Sequence, residues 1–105
     1  MVTGSPGGNS IIGYVAKTIL AVIDLNKTAQ EAVALPNVIG RGPIVSVETV
    51  NAAGEAWAKA LTDAGFRIRE VTGEISGLNI IVARENRFEG GADPRREGVA
   101  LEVVK

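Results

Sequence analysis

The stretch from Ile11 to Leu25 constrains this chain most, because it keeps helical spacing yet is apolar almost all the way round. Ile12, Val15, Ile19, Val22 and Ile23 form one stripe. Ile11, Tyr14, Ala16, Leu20 and Ala21 widen it until little polar surface is left. A helix of that kind is buried on several sides. A chain of 105 residues has little material with which to wrap it, so the pattern itself points to further protein around this segment. It is no membrane span, since it contains Lys17 and Asp24 and is too short.

The remaining pattern divides into helices first and sheet later. Val2 to Ser10, rich in glycine, serine and proline, reads as a loop, with Asn9 or Ser10 offering an N-cap oxygen to the first helix. Thr28-x-x-Glu31 is a capping box that opens a short helix from Ala29 to Leu35, ended by Pro36. Gly40-Arg41-Gly42-Pro43 reads as a turn into a strand from Ile44 to Glu48. A third helix, Ala52 to Ala64, carries Ala53, Trp57, Ala60, Leu61 and Ala64 on one face, with Gly65 at the left-handed cap position. Strands follow at Phe66–Val71, Leu78–Arg84, Arg87–Gly91 and Val99–Val104, with turns at Glu85-Asn86 and at Asp93-Pro94-Arg95-Arg96. The class is α+β, with N-terminal helices before a mainly antiparallel sheet, and residues 1–105 read as a single domain.

Composition removes several functions. With no Cys and no His, the chain has no thiol nucleophile, no Ser-His-Asp triad and none of the usual zinc ligand sets, so neither a metal nor a cofactor is expected. A net charge of -1 gives no basis for nucleic acid or a membrane surface as partner. Arg84, Arg87, Arg95 and Arg96 alternate with Glu85, Glu89, Asp93 and Glu97, which reads as a solvated mixed-charge face. Met1 to Gly13 lacks the basic region and apolar run of a signal peptide, and the compartment stays open.

Gly4-Ser5-Pro6-Gly7-Gly8, directly before a helix, is the motif with chemical potential. Paired glycines take φ values closed to other residues and expose successive N–H groups. Those donors add to the free N–H groups and positive end of the helix's first turn, a natural seat for an anion or a developing oxyanion. A plain structural turn is the competing reading. A nucleotide site is disfavoured, because the spacing matches neither phosphate-loop pattern and no strand is visible before the loop.

The same loop, followed by an Ile-rich helix, resembles the glycine loop of the gamma-glutamyltransferases. The likeness continues in order: Gln30 to Asn37 resembles the family's "EAVxxPR" helix end, and Ser46-Val47-Glu48 its "VE" strand. Leu61 to Phe66 resembles "L-x-x-x-G-H/F", and Gly90 to Arg96 the terminal "GAxDPRR". The resemblance implies an N-terminal nucleophile hydrolase, a sandwich of two sheets between helical layers. It implies that this chain is the C-terminal part of the small subunit, in which Gly7 and Gly8 donate N–H groups to the oxyanion formed when a Thr attacks a gamma-glutamyl amide such as glutathione.

The family's Thr nucleophile and the residues that grip the glutamyl group lie upstream of the loop, so the chain is expected to be inactive alone. Its expected partner is the N-terminal and large-subunit part of the same enzyme, with the gamma-glutamyl substrate bound only in the complete enzyme. Thr3 is a poor substitute nucleophile, because Met1 and Val2 precede it, and Ser5 has no visible base. Asn37 stands where the family usually has Arg. Arg95 and Arg96 suit substrate carboxylates by chemistry, but also suit a turn in which they pair with Asp93 or nearby carbonyls. Trp57 reads as helix-face core. Family members are often periplasmic or extracellular. The other reading is a free-standing small domain that forms a homo-oligomer through its apolar face and binds an anion at the glycine-rich helix end.

Overall fold

The computed structural model describes residues 1–101. Its elements are β1 (Val2–Gly4), α1 (Ile11–Ile23), α2 (Ala29–Ala34), β2 (Val38–Arg41), β3 (Ile44–Glu48), α3 (Ala52–Asp63), β4 (Arg67–Val71), β5 (Asn79–Ala83) and β6 (Phe88–Ala92). They build two three-stranded sheets, ordered β1-β5-β6 and β2-β3-β4. The expected α+β class holds.

In the first sheet β5 is central and pairs antiparallel on both sides, with Val2 opposite Ile81 and Ile81 opposite Gly90. The β5–β6 hairpin is closed by the Arg84 N–H donating to the Arg87 carbonyl at 2.8 Å. In the second sheet β2 and β3 form an antiparallel hairpin with Arg41 opposite Ile44. β3 and β4 then run parallel, Ile44 opposite Arg67 and Glu48 opposite Val71. Three of the four pairings among the described residues are thus antiparallel, in keeping with the expected mainly antiparallel sheet. The helix α3 supplies the crossover that a parallel pair requires.

The core lies between the first sheet and the helices α1 and α2. It is built from Tyr14, Ala21, Val22, Ala29, Ala32, Val33, Ile39, Leu78, Ile80 and Val82. The helix α2 has six residues, too few to persist unaided. Its capping box is formed: Thr28 Oγ1 accepts from the Glu31 N–H at 3.1 Å, and the Thr28 N–H donates to Glu31 Oε1 at 3.0 Å. Its Gln30 side chain then acts as an extra rung on β6, donating to the Ala92 carbonyl at 2.9 Å and accepting from the Ala92 N–H at 3.0 Å. Close approach depends on Gly91, where a Cβ would come within 2.7 Å of the Ala29 carbonyl group.

Several sequence expectations need correction. Val2–Gly4 is a strand, because Val2, Thr3 and Gly4 find partners in β5, more than seventy residues away. Val38–Arg41 is also a strand, and the turn is confined to Gly42 and Pro43. The buried stripe of α1 is Tyr14, Thr18, Ala21 and Val22, whereas Ile12 is 81% and Ile23 65% exposed. Thr18 fits inside because its hydroxyl donates to the Tyr14 carbonyl at 2.9 Å. On α3 the buried residues are Gly54 and Ala58, Trp57 and Leu61 are half-buried, and Ala53, Ala60 and Ala64 are exposed. Val99 to Leu101 form no strand, and the rest of that expected strand, residues 102–104, lies outside the described residues.

Candidate functional site

The strand β1 ends at Gly4 and α1 begins at Ile11, so the glycine motif bridges a sheet and a helix end. Gly7 has φ 134° and Gly8 φ 58°, both in the region that favours glycine. The Gly7 carbonyl accepts from the Ser10 N–H at 3.1 Å, and the Gly8 carbonyl from the Ile11 N–H, closing a single 3₁₀ turn before α1. The carbonyls are therefore used, while the N–H groups of Gly7 and Gly8 have no acceptor among the described residues. Neither Asn9 nor Ser10 caps the helix with its side chain, contrary to expectation. Two adjacent donors are thus left at the positive end of a thirteen-residue helix, an arrangement that receives an anion or a carbonyl oxygen gaining charge.

The loop is held from both sides. Ser5 Oγ accepts from the Gly77 N–H at 3.0 Å and donates to the Pro6 carbonyl at 2.7 Å. On the other side Gly7 lies against the Tyr14 ring, where a Cβ would fall 2.6 Å from Cε2. An open depression of about 250 Å³ runs beside it between Pro6, Gly77, Asn79, Arg96 and Gly98. Thr3 sits in mid-strand, its hydroxyl donating to the Asn79 carbonyl at 2.9 Å, so both hydroxyls of this segment are structurally engaged.

A buried polar node joins the two sheets. The Arg95 guanidinium donates to Glu48 Oε1 at 2.6 Å and Oε2 at 2.9 Å, and to Asp93 Oδ1 at 2.8 Å. It also donates to the Val33 and Leu35 carbonyls at the end of α2, at 3.2 and 2.9 Å. Glu48 accepts N–H bonds from Asn37 at 2.6 Å and Glu74 at 2.8 Å. Asp93 Oδ2 accepts from the Ser76 hydroxyl at 2.6 Å and the Leu78 N–H at 3.1 Å.

Burial pushes both carboxyls up, but Arg95 and the N–H donors outweigh it for Glu48, as do Ser76, Arg95 and Leu78 for Asp93. Both stay below the usual carboxylate range. Burial likewise works against the Arg95 charge and is overcome by the two carboxylates. Lys17 enters the same region, donating to the Leu35 carbonyl at 3.0 Å and the Val33 carbonyl at 3.3 Å. Its ammonium is disfavoured by burial and then by Arg95, against the pull of Asp93 and Glu48, and its pKa falls to about 8.

The sequence model of the gamma-glutamyltranspeptidase family spans residues 1–103. The chain belongs to this family. Among solved structures it is similar to the gamma-glutamyltranspeptidase of Pseudomonas nitroreducens complexed with L-DON, with a TM-score of 0.80 and 22% identity over 98% of this chain and 55% of that one. A mutant of the Helicobacter pylori gamma-glutamyltranspeptidase matches with a TM-score of 0.72 and 29% identity over 90% of this chain and 53% of that one. The transpeptidase enzyme CapD of Bacillus anthracis shares the fold, with a TM-score of 0.75 at 18% identity over 96% of this chain and 62% of that one. The α+β arrangement is therefore that of N-terminal nucleophile hydrolases of the gamma-glutamyltranspeptidase kind. The chain spans about half the length of these two gamma-glutamyltranspeptidase chains. No curated protein sequence matches it.

Within this gamma-glutamyltranspeptidase framework the landmarks of the sequence other than Leu61 to Phe66 fall into two groups. Gly7 and Gly8 form the loop, while Asn37, Glu48, Asp93 and Arg95 meet in the node. Arg95 is therefore no part of a solvated face, since its side chain is 16% exposed and spent on protein acceptors. Arg96 donates to the Ile75 carbonyl at 2.7 Å. Neither is directed at the loop by any bond the structure contains. Asn37 is fully buried and donates from Nδ2 to Ser76 Oγ at 3.0 Å. Tyr14, Lys17 and Glu48 escaped notice as site residues. Only Glu48 carried a signal, as a carboxylate closing a strand whose other residues are apolar except Ser46.

Proposed function

We propose that these residues supply the oxyanion-hole loop of a gamma-glutamyltranspeptidase, with the Gly7 and Gly8 N–H groups as its donors. The observation that carries this reading is the pair of positive-φ glycines with unused N–H groups at the start of α1. In the reaction a Thr hydroxyl from another part of the enzyme attacks the gamma-glutamyl carbonyl. The carbonyl oxygen takes up negative charge at the loop, the amine leaves with a proton, and the resulting acyl-enzyme passes to water or an amino acid. Thr3 and Ser5 are engaged in the fold, so the 105 residues alone are inactive. Residues 1–105 act as a C-terminal segment of the small subunit, and glutathione-type amides are the substrate class.

The partner in this reading is the N-terminal and large-subunit part of the same enzyme. The outer face of the first sheet suits it: Val2, Ile81 and Phe88 are 74%, 53% and 79% exposed, and Ile12 and Ile23 of α1 add apolar surface. The same exposure favours the second reading, a homo-oligomer that binds an anion at the loop.

Hydrolysis of a gamma-glutamyl anilide separates them. We expect no turnover by the chain alone, and turnover after co-expression with a homologue's segment ending before its glycine loop. Gly8→Pro should remove that turnover by about 10²–10³-fold, as loss of an oxyanion donor does. Turnover by the chain alone sinks the proposal. A discrete oligomer stabilised by phosphate, with no rescue in an associated complex, establishes the second reading instead.

A further inference from the structure

Tyr14 is the largest fully buried side chain, and it touches the loop at the residue whose N–H is in question. Its ring packs so closely under Gly7 that no side chain fits there. A buried phenol needs a partner for its hydroxyl, and Tyr14 donates to Glu74 Oε2 at 2.8 Å. Glu74 is itself fixed. Arg41 donates to both its carboxylate oxygens, at 3.0 and 3.2 Å, and its own N–H donates to Glu48 Oε2 in the polar node. Burial and then the Glu74 carboxylate hold the Tyr14 hydroxyl in its protonated, donating form.

A ring free to rotate or shift would take away the packing under Gly7 and leave only its carbonyl bond from the Ser10 N–H, with the Ser5 to Gly77 tie on the far side of Pro6. Oxyanion donors work only when their direction is set before the charge appears. We infer that Tyr14 is the positioning residue of the Gly7–Gly8 loop. Its ring sets the height of Gly7, and its bond to Glu74 transmits the rigidity of the Glu48–Arg95 node to the two N–H groups. This rests on the oxyanion reading of the loop given above.

The test uses Tyr14→Phe, which keeps the ring and loses the hydroxyl, and Tyr14→Leu, which loses the ring. Two readouts are taken: ¹⁵N order parameters of the Gly7 and Gly8 amides in the 105-residue chain, and kcat and KM for a gamma-glutamyl anilide in the co-expressed complex. In Tyr14→Phe the two glycine amides should fall from about 0.85 towards about 0.6 while those of α3 hold. In both variants kcat should drop, about tenfold or more for Tyr14→Leu, with KM within about twofold, because donors are misaimed while binding is untouched.

Unchanged glycine amides in Tyr14→Phe, the variant certain to retain the ring, would overturn the inference even if the enzyme works. Loosened glycine amides with unaltered kcat would instead overturn the oxyanion reading. If the complex is inactive even with the unaltered chain, the oxyanion reading falls and the amide order decides the Tyr14 brace by itself.

Discussion

Lys17 gives a pH dependence opposite in sign to the usual one for a lysine that gains a partner. Its pKa falls from 10.5 to about 8 in the folded chain, first through burial and then through the like charge of Arg95. Between those values the unfolded chain carries a proton on Lys17 that the folded chain does not. Stability therefore rises as pH increases from 8 to 10.5, by about 1.36 kcal/mol per pH unit and about 3 kcal/mol in all. Urea unfolding at pH 8.0 and 9.5 should show a gain of about 2 kcal/mol. The Tyr14 hydroxyl, held protonated beyond its ordinary 10.0, works the other way from about pH 10 upward, above the two pH values compared. In Lys17→Met the gain should vanish. The substitution should leave stability at pH 7 equal or higher, because the Val33 and Leu35 carbonyls keep their bonds from Arg95. A stability that is flat or falling from pH 8 to 9.5, or a gain that survives in Lys17→Met, would refute the assignment of a desolvated ammonium to this position.

Two further substitutions probe the frame under the loop. Gly91→Ala should destabilise by about 1–3 kcal/mol in urea unfolding, since its methyl would displace α2 from β6 at Ala29. Arg95→Met should cost about 3–5 kcal/mol by leaving two carboxylates, each with a side chain 1% exposed, without their cation. The depressed pKa values of Glu48 and Asp93 place their stabilisation above pH 4.5 and have it lost as pH falls below, and in Arg95→Met acid unfolding should begin at higher pH.

Local signals in the chain were readable where a residue's partner lies a few positions away. The Thr28–Glu31 box, the Gly65 cap and the β5–β6 turn are of this kind, and all three are formed. The pairing of β1 was not readable, because three residues carry no period and their partner strand is remote. On α3 the face was misplaced, since an alanine-rich helix marks its buried side by smallness at Gly54 and Ala58 rather than by hydrophobicity. Of the candidate site, the glycine loop was legible from composition and order alone. Its support was not: the Arg95 guanidinium looks like surface charge in sequence, and only the tertiary fold brings Glu48 and Asp93 to it.

Those partners explain why landmarks scattered from Asn37 to Arg95 keep company in one chain. A buried ion cluster is a poor source of net stability, since desolvation offsets most of the attraction. Its strength is geometric, because charge-assisted bonds of 2.6 to 2.9 Å tolerate few alternative arrangements. Glu48 belongs to the second sheet and Asp93 follows the last strand of the first, so Arg95 fixes how the two sheets meet at the end of α2. From Glu48 the path continues through the Glu74 N–H to the Glu74 carboxylate, the Tyr14 hydroxyl and the ring beneath Gly7. Each link is a bond of 2.8 Å or a packed contact between buried or half-buried groups. Arg95 is thereby connected to the glycine loop, and a change at Arg95 should loosen the Gly7 amide before it unfolds the chain.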